Sequence, residues 1–170
     1  ANDPGQSLTL VNCTVGPANN AGNFGSGISN EGTLVMTNVT VSGNISSTGL
    51  TGGGIANLNG SAVLTNCTVT GHIIPGPTGS GGGIAVFAGA LSLNNTIVAN
   101  NTAPTGPNIF GTVGSQDGHN MIGSSAGATI SGNTTGNFIN QTASQIGLSS
   151  TLAGNGGPTP THALVCPGVA

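Results

Sequence analysis

The chain contains no lysine, no arginine, no tryptophan and no tyrosine, and its only acids are Asp3, Glu31 and Asp117. Without cationic side chains nothing can neutralise a phosphate backbone, so nucleic-acid binding is excluded. An anionic membrane surface likewise finds no charge to attract. No apolar run reaches the length of about 18 residues that a membrane helix needs, so no membrane insertion is expected. The missing bases also remove every trypsin-type cleavage site, which suits an extracellular or cell-surface setting. The sequence starts at Ala1 with neither Met nor an apolar targeting stretch, and is expected to be a secreted, processed segment.

What is abundant is glycine, 32 residues, together with Asn, Ser and Thr, a mix that disordered low-complexity segments share. Order is nevertheless expected, because 35% of the residues are hydrophobic and they recur at fixed phases. Ser7–Val15 reads SLTLVNCTV, Thr33–Val41 TLVMTNVTV, Ser61–Val69 SAVLTNCTV and Ala90–Val98 ALSLNNTIV. Aligned on Asn12, Asn38, Asn66 and Asn95, the copies are spaced by 26, 28 and 29 residues. A second phrase keeps step: Gly27-Ile28, Gly53-Gly54-Ile55, Gly82-Gly83-Ile84 and Pro107-Asn108-Ile109. A period of this length marks stacked structural units within one domain.

Inside each copy the first apolar residues alternate, as in Leu8 and Leu10 or Leu34 and Met36, which is strand periodicity with one face buried. The alternation slips by one residue at the anchor Asn, as a corner between two strands requires. Asn tolerates left-handed backbone and can bond to the amide of the Asn one coil away, so Asn12, Asn38, Asn66 and Asn95 are expected to form an internal ladder. Ile28, Ile55, Ile84 and Ile109 are expected to stack as an apolar file. Gly- and Pro-rich excursions interrupt every candidate helical window. The expected fold is all-β, a parallel β-solenoid of about six coils of 25–29 residues. Residues 1–6 form an extended N-terminal tail, 7–146 the coils and 147–170 a Pro/Gly-rich C-terminal tail.

Cys13 and Cys67 hold one phase, two repeats apart, with Val39 between them. Two strand spacings, about 9.6 Å, exceed disulfide reach, so both are read as small buried hydrophobes. Cys166 is the odd cysteine and the candidate for an intermolecular disulfide. Nine Asn-x-Ser/Thr triplets occur, as chance allows in a chain this rich in Asn and Thr. Those in expected turns, at Asn44, Asn59 and Asn100, are the candidate glycosylation acceptors.

The phrases Gly-Gly-Gly-Ile, Thr65-Asn66-Cys67-Thr68-Val69-Thr70-Gly71 and Gly106-Pro107-Asn108-Ile109-Phe110-Gly111 resemble right-handed parallel β-helix repeats of bacterial surface and secreted proteins. The likeness is to the polymorphic outer-membrane and autotransporter-passenger kind. His119-Asn120-Met121-Ile122-Gly123 and Asn155–Leu164 are similar to the C-terminal part of such passengers. In that group the stretch leads into an anchor or sorting segment. Here Ala170 follows Cys166-Pro167-Gly168 without one, which implies processing or retention by neighbouring subunits.

Parallel β-helices often carry polysaccharide lyases and hydrolases, whose chemistry makes definite demands on the side chains. A lyase site needs clustered acids for calcium and a base, and a hydrolase needs paired carboxylates. Three scattered acids supply neither: Asp3 lies in a tail, Glu31 marks a polar turn and Asp117-Gly118 is a turn pair. His72, His119 and His162 occur at unrelated phases without metal-ligand spacing. No catalytic residue, metal or cofactor is expected, and the protein is not expected to be an enzyme. The leading expectation is a structural protein that self-assembles head to tail into a fibre or sheath, through uncapped solenoid ends and strand addition. The alternative is a surface adhesin whose excursions bind glycans or a host surface. A weaker third reading is ice binding through outward Thr9, Thr14, Thr40 and Thr68.

Overall fold

The structure, a computed structural model, describes residues 1–22, 24–46 and 51–165, with backbone alone for 115–117. Each coil contributes three strand segments, and each segment stacks on its counterpart in the next coil. The first coil opens with β1 (Ser7–Val15) and β2 (Ile28–Asn30), the second with β3 (Thr33–Ser42) and β4 (Ile55–Asn57). Beyond these the long strand divides in two. The third coil has β5 (Ser61–Thr65), β6 (Thr68–Thr70) and β7 (Ile84–Val86), and the fourth has β8 (Ala90–Asn94), β9 (Ile97–Ala99) and β10 (Ile109–Val113). Shorter pieces follow as β11 (Ser115–Gly118), β12 (Met121–Ile122), β13 (Ala128–Ile130) and β14 (Phe138–Ile139).

All of these pairs are parallel, and like stacks on like. Leu10 aligns with Met36, Leu64 and Leu93, and Val15 aligns with Val41, Val69 and Val98. Ile28, Ile55, Ile84 and Ile109 align in the third face. The strands are apolar on the inner side alone, so stacking them in register closes one continuous core. Leu34, Met36, Ile55, Leu64, Ile84, Leu93, Val98 and Ile109 are all fully buried in it.

The phase slip at the anchor is a corner. Asn12, Asn38, Asn66 and Asn95 have φ of 50°, 55°, 54° and 47°, the left-handed region that Asn adopts more readily than other side-chain-bearing residues. The chain turns there, so β3 bends in the middle and pairs with β5 before the corner and with β6 after it.

The solenoid has about four turns rather than six. The repeated phrase holds through β8 and β9 and then fades, so β11 to β14 are strand fragments that extend the stacks without regular coils. The Pro/Gly-rich end is not an extended tail. After the one-turn helix α1 (Ala143–Ile146), capped by Thr142 and by Gly147 at φ 61°, the chain forms an antiparallel hairpin of β15 (Leu148–Ala153) and β16 (Thr161–Leu164). That hairpin lies over the face made by the second halves of β1 and β3. There Thr14 Oγ1 donates to the Pro160 carbonyl at 2.8 Å, and Ser42 Oγ meets His162 Nε2 at 2.7 Å. At its base Ile146 and Leu148 pack with Ala99, Ile97 and Met121. No described helix is long and apolar enough to cross a membrane, which leaves β-barrels unaddressed.

Candidate functional site

The four anchor amides lie outside the solenoid, not within it. All four are exposed, and they pair two by two: Asn38 Nδ2 donates to Asn12 Oδ1 at 3.0 Å and Asn95 Nδ2 to Asn66 Oδ1 at 2.7 Å. The reason is geometric. A left-handed corner residue turns its side chain outward, away from the core on the inner side of the bend.

Polar ladders do run inside, at other positions. Asn2 Nδ2 donates to Asn30 Oδ1 and Asn30 Nδ2 to Asn57 Oδ1, each at 2.7 Å, and Asn57 Nδ2 ends the file on the carbonyls of Gly60 and Ala90. Asn2 is therefore part of the first coil rather than of a free tail, and it is only 5% exposed.

A second inner file consists of Asn44, His72 and Asn101. Each side chain donates to the coil before: Asn44 Nδ2 to the Val15 carbonyl, His72 Nε2 to Val41 and Asn101 Nδ2 to Val69, at 3.3, 3.1 and 3.1 Å. Each also accepts a backbone N–H from that coil: Asn19 N onto Asn44 Oδ1, Asn44 N onto His72 Nδ1 and His72 N onto Asn101 Oδ1. The three lie six residues past their anchors, since 44 − 38, 72 − 66 and 101 − 95 are equal. His72 is thus in phase with the repeat, contrary to the expectation that the histidines occur at unrelated phases. That fixed offset is the trace the inner file leaves in the sequence.

The Gly-Ile phrase makes room for this file. A Cβ on Gly54 would lie 2.7 Å from His72 Nε2, and one on Gly83 would lie 2.7 Å from Asn101 Nδ2. Neutral imidazole mimics a carboxamide here, with one donor and one acceptor. A backbone carbonyl only accepts, so the proton sits on Nε2. Burial pushes the His72 pKa down from the ordinary 6.5 to about 4, against the opposing pull of its hydrogen bonds to Val41 and Asn44. Among the described residues no buried side-chain nitrogen or oxygen lacks a partner.

The inner file also removes one glycosylation candidate. Asn44 is fully buried and its amide is committed, so no transferase reaches it. Asn59 and Asn100 are exposed. Cys13 and Cys67 are free thiols, and burial raises the Cys67 pKa to about 11, so it stays an inert thiol in the core. Cys166 lies outside the described residues.

The remaining titratable groups do not converge. Among the described residues no three of His, Cys, Asp and Glu group around a common point. His162 clasps the hairpin, its Nδ1 donating to the Ser149 carbonyl at 2.7 Å. His119 is an exposed corner residue at φ 59°. Asp117-Gly118, expected as a turn, lies in β11, and Glu31 follows β2 in a bend. Of the outward threonines, the hairpin lies over Thr14, and Thr40 is buried.

The feature with chemical potential is the first coil's outer edge. Strand β1 pairs with β3 and with no other described strand, so one side of a nine-residue backbone carries no ladder. Its inward side chains Leu8, Leu10, Cys13 and Val15 are only partly covered, while their counterparts Leu34, Met36, Val39 and Val41 are at most 1% exposed. At the opposite end β11 and β14 are the outermost strands of the sheet that β1 begins, and β13 is the outermost strand of the sheet that β2 begins. Helix α1 packs through Ile146 against Ala99 and Ile97 of β9 and Met121 of β12. Compared with protein-family models, with curated proteins and with solved structures, the chain matches none.

Proposed function

We propose that this β-solenoid is a non-enzymatic structural subunit that assembles head to tail, the β11/β14 end of one copy adding strands to the β1 edge of the next. The observation that carries the reading is the free edge of β1 above a half-covered apolar row. Exposed edges are normally blunted with charge, lysine above all, with proline, or with a covering element. Ser7–Val15 contains none of these, and the whole chain has no lysine. A formal net charge of −3 leaves little repulsion between copies. Because each coil presents the same files as the last, a second copy can continue the ladders without new geometry. In this reading the assembly belongs at a cell surface or outside the cell, a setting supported by the resemblance of the repeated phrases to secreted passengers. No catalytic centre, cofactor or nucleic acid has a place in this reading.

The test is sedimentation of the wild type against Val11→Lys. Val11 points outward from β1 and is 52% exposed, so the lysine guards the edge without entering the core. Concentration-dependent growth in the wild type, abolished in the folded variant, is the expected result. A wild type that stays monomeric at every concentration refutes the proposal.

A further inference from the structure

Three of the four phenylalanines, from different coils, meet on one patch of the surface. Phe24 and Phe87 lie edge to face with centroids 6.0 Å apart and planes at 78°, and Phe87 and Phe110 are 6.2 Å apart. Phe24 and Phe87 remain 43% and 49% exposed, although nothing in the stacking rule needs aromatic rings outside the core. Phe110 also lines a shallow cleft of about 470 Å³ together with Thr51, Thr78, Ser80 and Thr105, and with Pro77 and Gly79. Four hydroxyl-bearing residues thus share one cleft with the Phe110 ring, next to two more rings. Every ionisable side chain is absent from the lining.

We propose that this cleft and the adjoining rings bind a neutral oligosaccharide. A pyranose has apolar C–H faces that pack on aromatic rings and a hydroxyl rim that exchanges hydrogen bonds with Thr and Ser. An anionic saccharide would gain nothing, since the chain has no cation to pair with it. An extended peptide is disfavoured for a separate reason. Thr51 and Ser80 in this wall are already bridged on both sides, through Phe24–Thr51, Thr51–Ser80 and Ser80–Thr105, which leaves no strand edge to augment within the cleft. The Thr105 amide donates to the Gly79 carbonyl at 3.2 Å, which ties the Pro77–Gly79 segment to the neighbouring coil.

The site is independent of the assembly edge, and its test is run on both the wild type and the Val11→Lys variant. Saturation-transfer NMR is measured with cellohexaose, maltohexaose and mannohexaose, with a sialylated trisaccharide and a heparin hexasaccharide as anionic probes, and with an apolar peptide. At least one neutral hexasaccharide is expected to bind both proteins. Phe87→Ala and Phe110→Ala are expected to weaken that binding by about tenfold or more, while Phe138→Ala leaves it unchanged. Phe87 is a surface side chain, so its loss tests the site even if Phe110→Ala disturbs β10. The proposal is overturned if no neutral probe binds at millimolar concentration. It is equally overturned if the anionic probes or the peptide bind in preference, or if Phe87→Ala has no effect.

Discussion

The first and second copies of the repeated phrase carry nearly the same residues and meet different fates. In β3, Leu34, Met36, Val39 and Val41 lie between coils on both sides and are almost wholly buried. In β1, Leu8, Leu10, Cys13 and Val15 have one neighbour and stay half-covered. A side chain in a solenoid is buried by the coil above and the coil below, so its environment depends on position in the stack as much as on identity. The interior copies build the molecule, and the terminal copy leaves part of the same surface open.

That contrast can be broken most strongly in the core. Leu64, between Met36 and Leu93, should cost about 3 kcal/mol when replaced by Ala, while Leu10→Ala should cost about 1 kcal/mol in dilute solution. Denaturant unfolding of both variants checks the ratio, and equal losses would mean that β1 is as enclosed as the middle coils.

Acid acts on the inner file with comparable force. Unfolded imidazole takes up a proton near pH 6.5, whereas folded His72 resists protonation until about pH 4. The stability that depends on neutral His72 is complete above pH 6.5 and lost as pH falls towards 4, about 3 kcal/mol in all. His72→Asn keeps one donor and one acceptor, so it should fold and lose this pH dependence. Unfolding midpoints measured between pH 7 and pH 4 decide the point. A slope that persists in His72→Asn would place the acid sensitivity elsewhere.

The outer amides should matter far less. Asn66→Ala removes one exposed side-chain hydrogen bond to Asn95 and some left-handed preference, a loss of about 1 kcal/mol in thermal unfolding. Asn101→Ala leaves the buried His72 backbone N–H without its acceptor and takes the side-chain donor from the Val69 carbonyl, and should cost about 2–3 kcal/mol. A reversed order would restore the anchor amides as the principal ladder. Val11→Lys should change monomer stability by less than about 0.5 kcal/mol while removing assembly.

The stacking rule was legible in the sequence because identical positions in successive coils face identical surroundings. Leu10, Met36, Leu64 and Leu93 declare the strand, and the left-handed corner at each anchor Asn follows from the one-residue slip. Which Asn face inward was not legible from their spacing alone, since the anchor amides repeat as regularly as Asn44, His72 and Asn101. The deciding signal was chemical interchange at a fixed offset, where His replaces Asn because a neutral ring offers the same donor and acceptor. The C-terminal hairpin was hidden for a different reason. It is held by Thr14, Ser42 and a small apolar cluster far away in sequence, none of which leaves a periodic trace.

Hydrogen exchange of the β1 amides as a function of protein concentration tests the open edge most directly. In dilute solution the amides of Ser7–Val15 that point away from β3 should exchange quickly, while the interior ladders of β3 and β5 stay protected. As concentration rises, those outer β1 amides should become protected in the wild type and remain fast in Val11→Lys. Outer amides that exchange at one rate in both proteins at every concentration would contradict the account.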